Sequence, residues 1–102
     1  MTVHTKEMLS VEVQRVVLLK KPDGREVWTR AFLDIAFGDC LVIKGFRVVE
    51  GKKGRFVSYP QQKAADGEFY TTSYSLPGSK ALDDIVTRAG LEAYDNALKQ
   101  QG

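Results

Sequence analysis

A change in hydrophobic period near residue 79 constrains the fold of this chain more than any other feature of its sequence. Before that point, apolar residues recur at every second position in short runs separated by turn residues, which is typical of strands. After it, they recur at three- and four-residue steps, which is typical of one helix face. This order predicts an α+β fold, with strands first and a helix last.

The strand-like part contains four runs with short connections, which favour an antiparallel meander. We predict a twisted antiparallel sheet of four to five strands at residues 9–19, 27–37, 41–49 and 55–59, with residues 69–74 as a short fifth strand at an edge. Pro22, Asp23 and Gly24 supply the first turn. In the first strand, alternation places five apolar residues on one face: Leu9, Val11, Val13, Val17 and Leu19.

The connection between the third and fourth strands fixes their predicted register. Gly51 and Gly54 bound a short loop, and Pro60 ends the fourth strand because it has no N–H to donate. Residues 61–67 read as a polar loop. A four-residue connection pairs Glu50 with Arg55, Val49 with Phe56, and Arg47 with Ser58.

The predicted helix begins after Ser79, which is a suitable N-cap, and Asp83 and Asp84 suit the positive end of its dipole. Gly90 lies inside the helical pattern and leaves a kink or a break possible there. The apolar face consists of residues at three- and four-residue steps, with Tyr94 and Leu98 alongside: Leu82, Ile85, Val86, Ala89, Ala93 and Ala97.

Length and composition predict one domain over residues 1–102. The cysteine content and the N-terminal residues predict that it lies in the cytoplasm. Cys40 is the only cysteine, which excludes an internal disulfide and fits a reducing compartment. The polar N-terminal residues lack the apolar run of a signal peptide, and no apolar segment approaches the roughly 20 residues of a membrane span. We therefore expect no membrane association.

Positive charge is concentrated in one segment, although the net charge of the chain is only +2. Residues 44–63 contain a single acid, Glu50, and such a local excess attracts phosphate. The alternative is that these are solvated charges that keep a hairpin tip in solution. The six basic residues are Lys44, Arg47, Lys52, Lys53, Arg55 and Lys63.

An ordered set of residues in this segment resembles the signature of the stage V sporulation protein G (SpoVG) family. The signature places are Phe46, Arg47, Val48, Val49, Glu50, Gly51, Gly54, Phe56, Val57 and Pro60, followed by Asp66, Gly67, Glu68 and Phe69. The resemblance implies a bacterial homodimer that regulates sporulation or septation genes by binding DNA, or in some members RNA. It implies neither catalysis, nor a cofactor, nor a small-molecule substrate, and it makes the six basic residues candidate nucleic-acid contacts.

Some positions depart from the family pattern and motivate an alternative function. Gln62 and Lys63 stand where many members have Lys-Arg, and Tyr70 stands where many have Arg. The alternative is therefore a divergent protein-interaction module. Arg47 either contacts phosphate or pairs with an acid or carbonyl across the dimer. The tyrosines Tyr59, Tyr70 and Tyr74 either stack on bases or lie in a core or interface.

The sequence predicts no catalytic or metal site. His4 is the only histidine, and Cys40 has no basic neighbour that would activate its thiol. Asp66 and Glu68 are two residues apart and would diverge in a turn, so they do not form a paired-carboxylate site. We therefore expect a protein that is not an enzyme.

Overall fold

The computed structural model describes residues 10–21, 23–24 and 26–101. His4, Leu9 and Pro22, for which the sequence analysis made predictions, lie outside these ranges. An antiparallel sheet has the strand order β1 (Val11–Leu18), β2 (Trp28–Phe37), β3 (Leu41–Gly51) and β4 (Gly54–Ser58). A separate two-stranded ribbon, β5 (Gln61–Lys63) with β6 (Phe69–Thr71), precedes helix α1 (Lys80–Gln101). The predicted α+β meander followed by a C-terminal helix is confirmed.

The core lies between α1 and one face of the four-stranded sheet. The helix contributes Val86, Gly90 and Tyr94, which recur every four residues and are its buried positions. Because residues four apart lie on one side of a helix, this spacing presents a continuous face to the sheet. The sheet contributes side chains with no exposed area: Ala31, Leu33, Ile35, Phe46 and Val48.

A bulge in β1 reverses the predicted facing of its second half. The register with β2 shifts between Val13 and Arg15, so an extra residue changes the phase of alternation. Val16 and Leu18 therefore pack against the core. Val17, which was predicted to share a face with Val13, is 38% exposed, so that prediction is wrong beyond the bulge.

The β3–β4 hairpin has the register that its glycines predicted. Glu50 lies opposite Arg55, Val49 opposite Phe56, and Arg47 opposite Ser58. Gly54 has a φ of 125°, which an L side chain rarely adopts. The turn itself consists of Lys52 and Lys53.

The predicted fifth strand does not lie at an edge of the main sheet. Strand β6 pairs instead with β5, which falls within the segment predicted to be a loop. Pro60 is buried between β4 and β5 and ends β4, as predicted, and its carbonyl accepts the Thr72 N–H at 2.8 Å. The chain therefore leaves the main sheet at Pro60 and forms its own ribbon.

Helix α1 continues through Gly90 without a break. A Cβ atom at this position would lie 2.7 Å from Val57 Cγ2 and 3.1 Å from Leu33 Cδ1. Close approach of helix and sheet therefore explains the glycine, and the break does not occur. Ser79 precedes the helix, and its carbonyl accepts the Leu82 N–H at 3.0 Å.

Candidate nucleic-acid interface

The pleat of the sheet divides the basic residues between two faces. Arg47 lies between Phe46 and Val48, which both face the helix, so its side chain points the other way. Lys44 is opposite Asp34, which lies between buried residues of β2 and also faces away from the helix. We call this side the open face; its side chains include Val17, Phe32, Asp34, Lys44, Arg47, Phe56 and Ser58.

Arg47 is held on the open face by neutral partners. Its Nη2 donates to Ser58 Oγ at 3.1 Å and to Gln61 Oε1 at 3.0 Å. Within the chain, the Arg47 guanidinium therefore contacts a hydroxyl and an amide carbonyl, and its pairing across a dimer stays a prediction. Among the described residues, no carboxylate lies at ion-pair distance from Arg47 or Lys44. Both charges therefore remain available to an anion.

Arg55 points to the helix side, away from Lys44 and Arg47. It contacts Asp95 Oδ1 at 3.3 Å through Nη1 and Glu50 Oε2 at 3.5 Å through Nε, and its guanidinium lies 5.3 Å from the Tyr94 ring centre. Two carboxylates thus already share its charge. The structure does not bring all six predicted contacts together on one face.

Arg30 also contacts Glu50 and Tyr94, two of the residues that surround Arg55. Sequence reasoning did not predict these contacts. Arg30 Nη1 donates to Glu50 Oε1 at 2.9 Å, and its guanidinium lies 4.8 Å from the Trp28 ring and 5.1 Å from the Tyr94 ring. Tyr94 is therefore flanked by two guanidinium groups, and these contacts stabilise the helix against the sheet. No sequence signal pairs residues that are 64 positions apart.

Lys52 and Lys53 project from the turn at the end of the β3–β4 hairpin, and both are exposed. Lys52 Nζ lies 3.1 Å from Glu26 Oε2, but both side chains are more than 70% exposed. Exposed pairs of this kind stabilise a protein by about 1 kcal/mol at most, so Lys52 can exchange this partner for phosphate at little cost.

Lys63 lies on β5, opposite Phe69, in the ribbon. Gln61 points to the same side of β5 because it is two residues away, and it contacts Arg47. The side of the ribbon that carries Lys63 therefore continues from the open face.

Asp66 orders the turn between β5 and β6. Its Oδ1 accepts the Glu68 N–H at 2.9 Å and its Oδ2 accepts the Tyr70 hydroxyl at 2.8 Å. The Glu68 bond first, and then the Tyr70 bond, lower the pKa of Asp66, and the bond to Asp66 raises the pKa of Tyr70. Asp66 therefore holds this turn through both of its carboxylate oxygens.

The three tyrosines that sequence analysis weighed as stacking residues have different surroundings. Tyr59 packs against the core, and its hydroxyl donates to Asp83 Oδ1 at 2.6 Å. Burial first, and then the bond to Asp83, raise the pKa of Tyr59 to about 12. Tyr70 and Tyr74 are instead 54% and 73% exposed, so only Tyr59 has the predicted core position.

Two aromatic residues that sequence reasoning did not select lie on the open face. Phe32 lies between the fully buried Ala31 and Leu33 and is 42% exposed, and Phe56 is 49% exposed. Strict alternation along β2 would have separated Phe32 from its two buried neighbours.

The described residues contain no group of three or more potential metal ligands among His, Cys, Asp and Glu. In the same part of the chain, no helix has both the length and the apolar character needed to cross a bilayer.

Comparison with known proteins gives one family. The SpoVG family model matches residues 7–96. A relative from Fusobacterium nucleatum is 41% identical over 79 residues, covering 76% of this chain and 83% of the relative. A relative from Treponema denticola is 33% identical over 89 residues, with 87% and 86% covered, and one from Archaeoglobus fulgidus is 34% identical over 83 residues, with 81% and 93% covered. All three carry the provisional name septation protein SpoVG.

Proposed function

Because this chain belongs to the SpoVG family, we propose that it is a non-enzymatic cytoplasmic regulator that binds DNA or RNA as a homodimer. Its relatives are named for septation, and we include septation among the processes it regulates. The proposed contacts are Lys44, Arg47, Lys52, Lys53, Arg55 and Lys63.

The observation that carries this proposal is that residues 44–63 have more positive than negative charge and that most of the basic side chains are accessible. Lys52 and Lys53 stand at an exposed turn, and Lys44 and Arg47 face outward with no acidic partner among the described residues. Phosphate contacts need charge more than fixed geometry. Arg55 contributes less than the others because it must first exchange Asp95 for phosphate.

Exposed apolar side chains on strand β6 and in the segment after it support a homodimer. A two-stranded hairpin is marginally stable in water on its own, and four large apolar side chains on and after β6 are more than half exposed: Phe69, Tyr70, Tyr74 and Leu76. Exposed apolar area of this kind is typical of an interaction surface. A second copy covering it would also double the number of basic residues presented to one polyanion.

Replacing Lys52 and Lys53 together with alanine is expected to weaken duplex DNA binding and to reduce the salt dependence. Each lost phosphate contact lowers the slope of log K against log salt by about 0.9, so the slope should fall by about 1.8. Adding Arg55→Ala should lower the slope by less than a further 0.9, the approximate value for one full phosphate contact. The measurement is fluorescence anisotropy across salt concentrations.

The control is the double variant Arg88→Ala with Lys99→Ala, which removes two exposed charges from α1. It should leave the slope within experimental error of the parent chain. Equal losses for both double variants would mean that overall charge, rather than the hairpin, drives binding. Absence of binding by the folded parent chain at low salt would exclude the proposed function.

Replacing Tyr74 and Leu76 together with serine is expected to shift the dimer toward monomer. These side chains are 73% and 70% exposed, and their loss removes apolar area that a second copy would bury. Sedimentation equilibrium measures the shift, and Val27→Ser, which alters another exposed apolar side chain, is the control. A parent chain that is monomeric, or a variant that dimerises as tightly as the parent, would contradict the dimer surface.

The second candidate is a protein-interaction module, and the same four exposed side chains favour it. Gln62 and Tyr70 replace basic residues common in the family, and the apolar side chains nearby could contact another protein. A defined partner recovered after nuclease treatment, from a folded chain that does not bind nucleic acid, would favour this candidate.

A further inference from the structure

The open face combines exposed aromatic rings with cations that have no carboxylate at ion-pair distance among the described residues. We infer that this face binds the unpaired bases of a single-stranded nucleic acid, with Phe32 and Phe56 as stacking platforms and Arg47 as the phosphate contact between them. This inference rests on the proposed function and adds the class of nucleic acid that the sheet selects.

The two rings are placed to hold separate bases. Phe32 lies directly opposite Arg47 on β3, and Phe56 lies opposite Val49, two residues further along β3. Strands are about 4.8 Å apart, so β2 and β4 are separated by about 10 Å. That distance leaves room for a base on each ring and a phosphate over the intervening Arg47.

Charge on the open face fits an anionic ligand. Arg47 donates only to the neutral Ser58 and Gln61, and its buried Nε has no partner among the described residues. Lys44 also lacks a carboxylate at ion-pair distance within the same residues. Asp34 lies between Lys44 and Arg15 across the strands, and the register also places Glu12 on this face. The three cations Arg15, Lys44 and Arg47 therefore outnumber the two acids on strands β1 to β4.

A duplex is a poorer ligand for this surface than a single strand. Bases in a duplex are stacked on one another and present only their edges in the grooves. The phenyl rings of Phe32 and Phe56 have no polar atoms to read those edges, whereas every unpaired base offers a face for stacking.

A second copy of this chain is also a poorer occupant. Packing two open faces about a two-fold axis would bring the cations of both copies into one interface and remove them from water. Burial of charges without partners is unfavourable, and the two acids of this face, Glu12 and Asp34, are too few for its three cations. A polyanion supplies the missing negative charge.

The test compares Phe32→Leu and Phe56→Leu with the parent chain. Leucine keeps the side chain apolar but removes the aromatic face, so each variant should bind oligothymidylate about tenfold more weakly. Binding to a duplex of equal length, which uses the hairpin lysines, should change less than about twofold. Ultraviolet crosslinking of oligothymidylate should identify Phe32 or Phe56 by mass spectrometry.

The control is Val42→Ala, which removes exposed apolar area from the same face without removing a ring; it should bind oligothymidylate like the parent. The inference would be overturned if the phenylalanine variants lost equal affinity for oligothymidylate and for the duplex. It would also be overturned if folded variants lost affinity for neither. Variants that become monomeric would show instead that a second copy occupies the face, which also overturns it. If Lys52→Ala with Lys53→Ala weakens binding while the phenylalanine variants do not, the proposed function stands and only this inference fails.

Discussion

Replacing Tyr94 with alanine is expected to lower the free energy of unfolding by about 3–5 kcal/mol, the range for truncating a buried aromatic side chain. Tyr94 is 1% exposed and is the largest fully buried side chain among the described residues. Its ring also lies 5.1 Å from the Arg30 guanidinium and 5.3 Å from that of Arg55. The substitution therefore removes core volume and two cation–π contacts together. Urea denaturation followed by circular dichroism measures the change.

Tyr94→Phe is the matched variant because it keeps the ring. It should cost no more than about 1.5 kcal/mol, the upper range for losing one hydrogen-bonding group. A loss of similar size in both variants would show that the hydroxyl, rather than packing and stacking, stabilises this position. A cost below about 1 kcal/mol for alanine would contradict the assignment of Tyr94 to the core.

Replacing Gly90 with valine is expected to destabilise the fold by about 3 kcal/mol or more, at the upper end of the range for overpacking. Even the first added carbon would lie 2.7 Å from Val57 Cγ2 and 3.1 Å from Leu33 Cδ1. Val57 is β-branched and has little rotamer freedom, so α1 must move away from the sheet. This cost exceeds the roughly 1 kcal/mol or less that a helix gains when glycine is replaced. The same denaturation measurement applies.

A double-mutant cycle identifies the contact responsible. Val57→Ala creates space opposite residue 90, so combining it with Gly90→Val should cost less than the sum of the single changes, by about 0.5–3 kcal/mol. Ala81→Val, at an exposed helical position, controls for the helix propensity of valine. Additive costs in the cycle, or a stabilised Gly90→Val protein, would contradict close packing at this glycine.

Some of the structure could be predicted because the signals are local. The Gly51–Gly54 connection and Pro60 sufficed for the β3–β4 register because turn geometry fixes which residues pair. The fold class followed from the change of period near residue 79. Strand β6 lies within the predicted strand 69–74, but its partner β5 was not predicted, since a three-residue strand of polar sequence carries no alternation that separates it from a loop.

The candidate site was predictable as a set of charges but not as a surface. Sequence reasoning grouped Arg47 with Arg55, whereas the pleat and the docking of α1 place them on opposite faces. Phe32 and Phe56 were missed because an isolated strand does not show which of its two faces a helix will cover. Their proposed role as a stacking platform depends on that choice.

By itself, the sequence determined the family, the α+β order of elements and the segment in which positive charge concentrates, because these depend on residue types at short separations. Only the tertiary structure decided that the β1 bulge changes which residues face the core and that α1 continues through Gly90. It also decided which basic side chains have no acidic partner among the described residues. Those features depend on contacts between residues far apart in the chain. Packing of α1 on one face of the sheet requires a glycine at position 90 and leaves Lys44 and Arg47 on the open face.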